Sequence, residues 1–288
     1  MKSELLGRVR SVRTESALWD LATETWQAPQ RVTLEEYRED GKISVSEHRW
    51  NGQVSRSTYR YDEAGRLIET AFWNGGALAG RQVHEYDESG RLIRQVYFGM
   101  IGAGVVMEEC TYASDGSHVR VQRLPAGVTD VYCPVDGADY YFSARGARDM
   151  VTVYDCGDRL SEVRVQNAEG EVVRRFVLTR GELGRVVRDE LLRDGGAAWM
   201  TNEYTYDELG RRIATVRRLF GLSEEREQYR YDDRGTRAEV VTDRWRTRFT
   251  YKYDGQGNWI ERLASGCSEQ NPDFTPGSID RREIAYYS

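Results

Sequence analysis

Residue types suited to chemistry are sparse in this chain of 288 residues. The three histidines, His48, His84 and His118, fall in separate segments, and none has a second ligand-type residue at helical or hairpin spacing that would suggest a metal. There is no Gly-x-Ser-x-Gly elbow and no His-Glu-x-x-His pair. The run Gly99-Met-Ile-Gly-Ala-Gly104 has the glycine content of a phosphate cradle, but Val105-Val-Met follows it and reads as strand. A cradle needs a helix N-terminus there. Two carboxylates for glycoside hydrolysis cannot be singled out among 47 acidic residues. No catalytic residue, metal or cofactor is therefore expected, and the chain reads as a non-enzyme.

The aromatic residues Trp50, Trp73, Phe98, Phe220 and Trp245 are more informative, because they recur close to one repeat apart within each half of the chain. A row of such rings along one edge would stack on sugar rings or grip a partner protein. The commoner fate of large apolar side chains is to fold inward and plug the ends of a sheet. Both readings stand at this level.

What would position that row is a repeat. Five segments align without gaps: Thr58-Tyr-Arg-Tyr-Asp-Glu-Ala-Gly-Arg-Leu-Ile68, Val83 to Ile93, Glu203 to Ile213, Gln228 to Ala238 and Thr250 to Ile260. Tyrosines two apart, such as Tyr59/Tyr61 and Tyr251/Tyr253, point to one face of a strand, while Arg60 and Lys252 point to the other. Asp62, Asp87, Asp207, Asp232 and Asp254 would accept hydrogen bonds from amides two residues on and start a type I turn. Gly65, Gly90, Gly210, Gly235 and Gly257 then supply the left-handed residue through which the chain re-enters an antiparallel strand as a bulge.

A calcium ladder along these aspartates would need about six oxygens converging on each ion. One aspartate per turn, bonded to its own backbone, is the simpler reading.

Between these turns lies a second set, at Trp50-Asn-Gly52, Trp73-Asn-Gly75, Phe98-Gly99, Asp194-Gly-Gly196, Phe220-Gly221 and Asp243-Arg-Trp245. The spacing predicts an all-β chain, an antiparallel meander of about ten hairpin repeats in a curved or coiled sheet, either an open half-shell or a small barrel. Residues 1–288 read as a single repetitive domain, and the one internal boundary worth marking lies in the irregular stretch 119–160, which holds Pro125, Pro134 and Arg145-Gly-Ala-Arg148. Only Leu5–Thr25 and Leu219–Glu227 invite a helix.

Acidic and basic residues, 47 against 41, are mixed along the whole length and give a net charge of −6, which argues against nucleic acid as a partner. No apolar run is long enough for a membrane-crossing helix, so membrane insertion is not expected. Four cysteines without a C-x-x-C spacing predict free thiols at Cys110, Cys133, Cys156 and Cys267. No leader segment is legible at the start of the chain as given, so a cytoplasmic location fits as well as an exported one.

The Tyr-x-Tyr-Asp-x-x-Gly-Arg-Leu-Ile segments resemble the YD repeats of the Rhs family, which extends to insecticidal toxin-complex subunits and teneurins. The match covers most of residues 31–262. The ending, Tyr253-Asp-Gly-Gln-Gly-Asn-Trp-Ile-Glu-Arg262 followed by Arg281 to Tyr287, is similar to that of small bacterial YD-repeat proteins, often exported. That resemblance implies a bacterial cell-envelope or secreted protein.

Large members coil such hairpins into a shell around a cargo. This chain has fewer repeats and no Asp-Pro pair to match the self-cleaving core, so neither cargo release nor a C-terminal toxin carries over.

The expectation that follows is a non-enzymatic binding or scaffold protein that presents a rigid sheet surface to a protein or carbohydrate partner. The alternatives are a shell-like protein wrapping another polypeptide, and a cell-envelope enzyme or accessory with its site inside the curved sheet.

Overall fold

The computed structural model describes residues 5–99, 104–124, 130–135, 138–143, 147–155, 159–192, 196–220 and 222–288. The sequence-level features at Met100 to Ala103, Pro125, Gly146, Cys156 and Asp194-Gly195 lie outside these. Every regular element among the described residues is a β-strand.

In chain order they are β1 (Val9–Asp20), β2 (Thr25–Trp26), β3 (Arg31–Tyr37), β4 (Ile43–Trp50), β5 (Gln53–Tyr61), β6 (Leu67–Asn74), β7 (Ala77–Tyr86), β8 (Leu92–Gly99), β9 (Val105–Tyr112), β10 (His118–Arg123), β11 (Asp130–Val135) and β12 (Ala138–Ser143). They continue as β13 (Ala147–Tyr154), β14 (Leu160–Asn167), β15 (Val172–Arg180), β16 (Val186–Leu192), β17 (Ala198–Tyr206), β18 (Arg212–Leu219), β19 (Ser223–Tyr231), β20 (Arg237–Thr242), β21 (Trp245–Tyr253), β22 (Trp259–Ser268) and β23 (Thr275–Tyr286). The helices expected over Leu5–Thr25 and Leu219–Glu227 are absent, replaced by β1 and β19. Both segments gain their partners across strands, where local periodicity has no say.

The chain resolves into two compact units, residues 84–96 with 105–228 and residues 2–83 with 97–104 and 229–288. The stretch 119–160, marked as a boundary from sequence, lies inside the first, where β10 pairs directly with β13. In that unit β13 to β19 are consecutive antiparallel neighbours, and β11 and β12 form a separate hairpin.

One sheet face there carries the core. Val163 faces Phe176, Phe176 faces Leu191, and Met150, Val165, Leu178 and Tyr204 pack with them. Asp189 is 0% exposed on this face. Asn202 Nδ2 donates to its Oδ1 at 2.8 Å, and the Tyr204 hydroxyl donates to Oδ2. Bonding of this kind is what allows a carboxylate to be buried.

In the second unit the order is β20-β21-β22-β23-β1-β3-β4-β5-β6-β7, antiparallel throughout, so that, apart from the short β2, chain neighbours are sheet neighbours, as in a meander, and β1 sits between β23 and β3, the first long strand pairing with the last. The first described residues are tied down by the last repeat turn. Leu6 N donates to Asn258 Oδ1 at 2.7 Å, and Asn258 Nδ2 donates to Leu6 O and to the Tyr286 hydroxyl, each at 2.8 Å.

The repeat turn has the expected outline with one addition. Gly65 N donates to Asp62 O and Asp62 N to Arg66 O, both at 2.9 Å, and Gly65 has φ +78°. The carboxylate also takes two bonds from the residue four places on, Arg66 N to Oδ1 and Arg66 Nε to Oδ2, both 2.7 Å. These bonds, the backbone one first, hold the Asp62 carboxyl below the usual carboxylate range. Asp87, Asp155 and Asp207 are gripped in the same way by Arg91, Arg159 and Arg211.

The tyrosine just before the turn reaches back to the preceding hairpin in three of the repeats. Tyr61 donates to Ile43 O at 2.9 Å, Tyr112 to Leu92 O at 3.0 Å and Tyr206 to Val186 O at 2.6 Å.

The opposite face carries ion pairs between neighbouring strands. Glu69 is met by Arg60 at 3.2 Å and Arg81 at 3.4 Å, and Glu261 by Lys252 at 2.7 Å and Arg281 at 3.3 Å.

Candidate binding site

Trp50 ends β4 and stands on a two-residue turn in which Asn51 (φ +48°) and Gly52 (φ +76°) are both left-handed. Consecutive left-handed residues define the type I′ turn whose twist matches an antiparallel hairpin, and Asn-Gly is the pair that tolerates it best. The turn brings Trp50 opposite Gln53 and leaves the indole 66% exposed.

Beside it is a cleft of about 460 Å³ lined by Gln27, Pro29, Val32, Arg49, Trp50 and Asn51. Its outer wall is the segment after β2. Gln27 N donates to Leu18 O at 2.9 Å, Gln30 Nε2 donates to Gln27 Oε1 at 2.6 Å, and Trp19 meets Trp26 edge-on at 4.9 Å below.

A second cleft, of about 350 Å³, is lined by Glu47, Val54, Arg56, Thr58, Trp73 and Gly76. Trp73 is half-buried here, its Nε1 donating to Thr58 Oγ1 at 3.5 Å. Glu47 and Arg49 are two apart on β4 and therefore share a face. Arg49 Nε donates to Glu47 Oε1 at 2.8 Å, so this ion pair forms the wall between the two clefts. Arg56, directly opposite Glu47 on β5, has no ion pair among the described residues. One exposed and one half-buried indole, a divided pair of charges, side-chain amides and an unpaired guanidinium in concave surface suit a ligand with both flat apolar faces and hydroxyl or carboxylate groups.

The other aromatic residues proposed from sequence also stand at the strand ends away from their Tyr-Asp turns. Trp245 opens β21, 45% exposed, its amide donating to Thr242 Oγ1 at 3.1 Å. Phe98 is half-buried near the end of β8, with the Arg81 guanidinium 4.8 Å from its ring centroid. Phe220, in the other unit, is 73% exposed, and its amide donates to Trp199 O at 2.9 Å. Only Trp50 and Trp73 line the two clefts. Trp19, Trp26 and Trp199 carry no such signal in the sequence, because none sits at an aromatic-Gly or aromatic-Asn-Gly signature. Their pairing partners are visible only once strands are aligned.

The titratable groups are dispersed. His118 is buried, stacked between Tyr112 (4.9 Å) and Tyr154 (4.3 Å). His48 Nε2 lies 3.1 Å from Ser46 Oγ, and burial pushes His84 down. Burial raises Glu108, which takes a bond from Gln95 Nε2 at 2.9 Å and pairs with Arg120 at 3.3 Å. Glu162 is pulled to about 2, first by its bond from Arg164. Cys110 and Cys267 are free thiols. Among the described residues no three His, Cys, Asp or Glu side chains are grouped as metal ligands.

No family model and no curated protein matches the chain. Among solved structures it is similar to a porin-like protein from Bacteroides uniformis, at 11% identity over 98% of both chains with a TM-score of 0.42. It is also similar to TcdB2-TccC3 without its hypervariable C-terminal region, at 16% identity with a TM-score of 0.47. That match covers 93% of this chain and 16% of the other.

Proposed function

We propose that this is a non-enzymatic binding protein whose aromatic turns at Trp50 and Trp73 engage a glycan. The observation that carries this reading is the placement of Trp50, held two-thirds exposed by a rigid two-residue turn between strands, at the mouth of a cleft. An indole presented in this way gives a flat apolar platform with little ordering cost on binding. Arg49, Glu47 and the two glutamines supply donors and acceptors at its edge, as sugar hydroxyls require. One cleft contains a single carboxylate and the other none, which favours binding over a paired-acid hydrolysis.

The resemblance of the Tyr-Asp-x-x-Gly turns to YD repeats belongs to the same proposal, as does a role outside nucleic-acid binding.

Immobilised glycans are the direct test. Retention of at least one glycan class by the wild-type protein, weakened about tenfold or more in Trp50→Ala, is expected. Failure to retain any glycan, or retention untouched by Trp50→Ala and Trp73→Ala, would overturn the proposal. Capture of a purified protein partner at the same residues would replace glycan with protein as the ligand.

A further inference from the structure

A different part of the same unit carries more positive charge than its one paired carboxylate balances among the described residues. Glu239 on β20 is 6% exposed and is approached by three arginines, Arg230 Nη1 at 3.1 Å, Arg248 Nε at 3.2 Å and Arg246 Nε at 3.7 Å. Elsewhere among the described residues, Glu69, Glu162 and Glu261 each meet two basic groups. One carboxylate with two oxygens cannot satisfy three guanidinium forks. The Arg246 side chain makes no hydrogen bond among the described residues, and the Arg248 side chain donates only its Nε, at 3.2 Å. Arg246 and Arg248 are two apart on β21, facing Val241 and Glu239, so the strand sets their side chains side by side on the exposed face. Phe274 lies under the Arg248 guanidinium at 4.1 Å and limits where it can turn.

We propose that Arg230, Arg246 and Arg248 form a binding site for a tetrahedral dianion, a phosphate or sulfate group, seated against the terminal nitrogens of the three guanidiniums. The planar fork of arginine matches two oxygens of such a group at once, and three forks converging on one carboxylate leave two positive charges for it to neutralise. Glu239 plays a double part. It gathers the arginines and competes with the ligand for them.

That competition separates a ligand site from a merely structural cluster. Inorganic phosphate, titrated at low ionic strength and followed by calorimetry and by the rise in Tm, is expected to bind the wild-type chain. Arg246→Ala should weaken it about tenfold, the cost of one charge-assisted pair. Glu239→Gln keeps the size and an acceptor oxygen but removes the charge, so it should lower Tm without ligand, bind phosphate more tightly than wild type, and recover Tm on phosphate addition. Arg246→Lys, which keeps the charge and loses the fork, should fall between wild type and Arg246→Ala.

Sulfate remains a dianion through the neutral range, while phosphate loses charge as pH falls through its second ionisation. Affinity that falls with acid for phosphate but not for sulfate identifies the dianion as the bound form. Phosphate binding that is equal in wild type, Arg246→Ala and Glu239→Gln would overturn the proposal.

Discussion

At the scale of single residues, the tyrosine just before the repeat turn does more than fill a core. Tyr61, Tyr112 and Tyr206 all send the hydroxyl to a carbonyl of the strand that leaves the preceding repeat turn, and so stitch each hairpin to its predecessor. Phenylalanine would pack as well and would leave that carbonyl without its donor. Tyr61→Phe is therefore expected to cost about 1 kcal/mol in urea unfolding, the typical net value of one such bond. A change indistinguishable from zero would mean that water replaces the hydroxyl. The aspartate of the turn was legible as a turn former, whereas its grip on an arginine four residues on was not, because the Gly-Arg pair in the motif reads as an ordinary exposed strand start.

Among the elements, the departure of one repeat from the pattern explains how β1 is held. Where other turns place Arg66, Arg91 or Arg211, the last places Asn258, which is 5% exposed and bonds both the amide and the carbonyl of Leu6. Asn258→Ala should loosen the segment before β1, with faster hydrogen exchange at Leu6 and a stability loss of about 1–3 kcal/mol from the unpaired groups. Asn258→Arg is the sharper variant. It can restore the arginine grip on Asp254 seen in the other turns, so if exchange at Leu6 still accelerates, the asparagine acts as a latch rather than as part of the turn.

The two segments read as helical from sequence illustrate the same point from the other side. Arg13 and Glu15 on β1 lie opposite Glu283 and Arg281 on β23, pairings that no local window contains, whereas Arg217 and Arg218 on β18 lie opposite Glu225 and Glu224 on β19 across one tight turn, a hairpin spacing that competes with the helical reading of the same short window.

For the molecule as a whole, the consequential pairing is between β1 and β23, separated by nearly the full chain. Contacts of such long sequence separation pay their loop-closure entropy before they return any stability, so refolding should be slow. Deleting residues 275–288 would expose the edges of both β1 and β22, which β23 now covers. Unpaired edges of this length template association. The shortened chain is expected to elute as aggregate in size-exclusion chromatography, and a monomer with native circular dichroism would contradict the pairing.

The amino-acid sequence by itself determined the β class, the positions of the hairpin turns and the face on which tyrosine and charge alternate, because each depends on residues within a few positions of one another. It also singled out Trp50 and Trp73, since an aromatic residue before Asn-Gly lies beside a tight turn, at Asn51-Gly52 in the first case and one residue later, at Gly75-Gly76, in the second. Tertiary structure alone decided which aromatics share a concave surface, that Glu47 and Arg49 divide it, that three arginines meet at Glu239, and that β1 lies between β23 and β3. Those outcomes depend on strand register and on which distant strands become neighbours, quantities set by the sum of many weak cross-strand contacts that no short stretch of sequence contains.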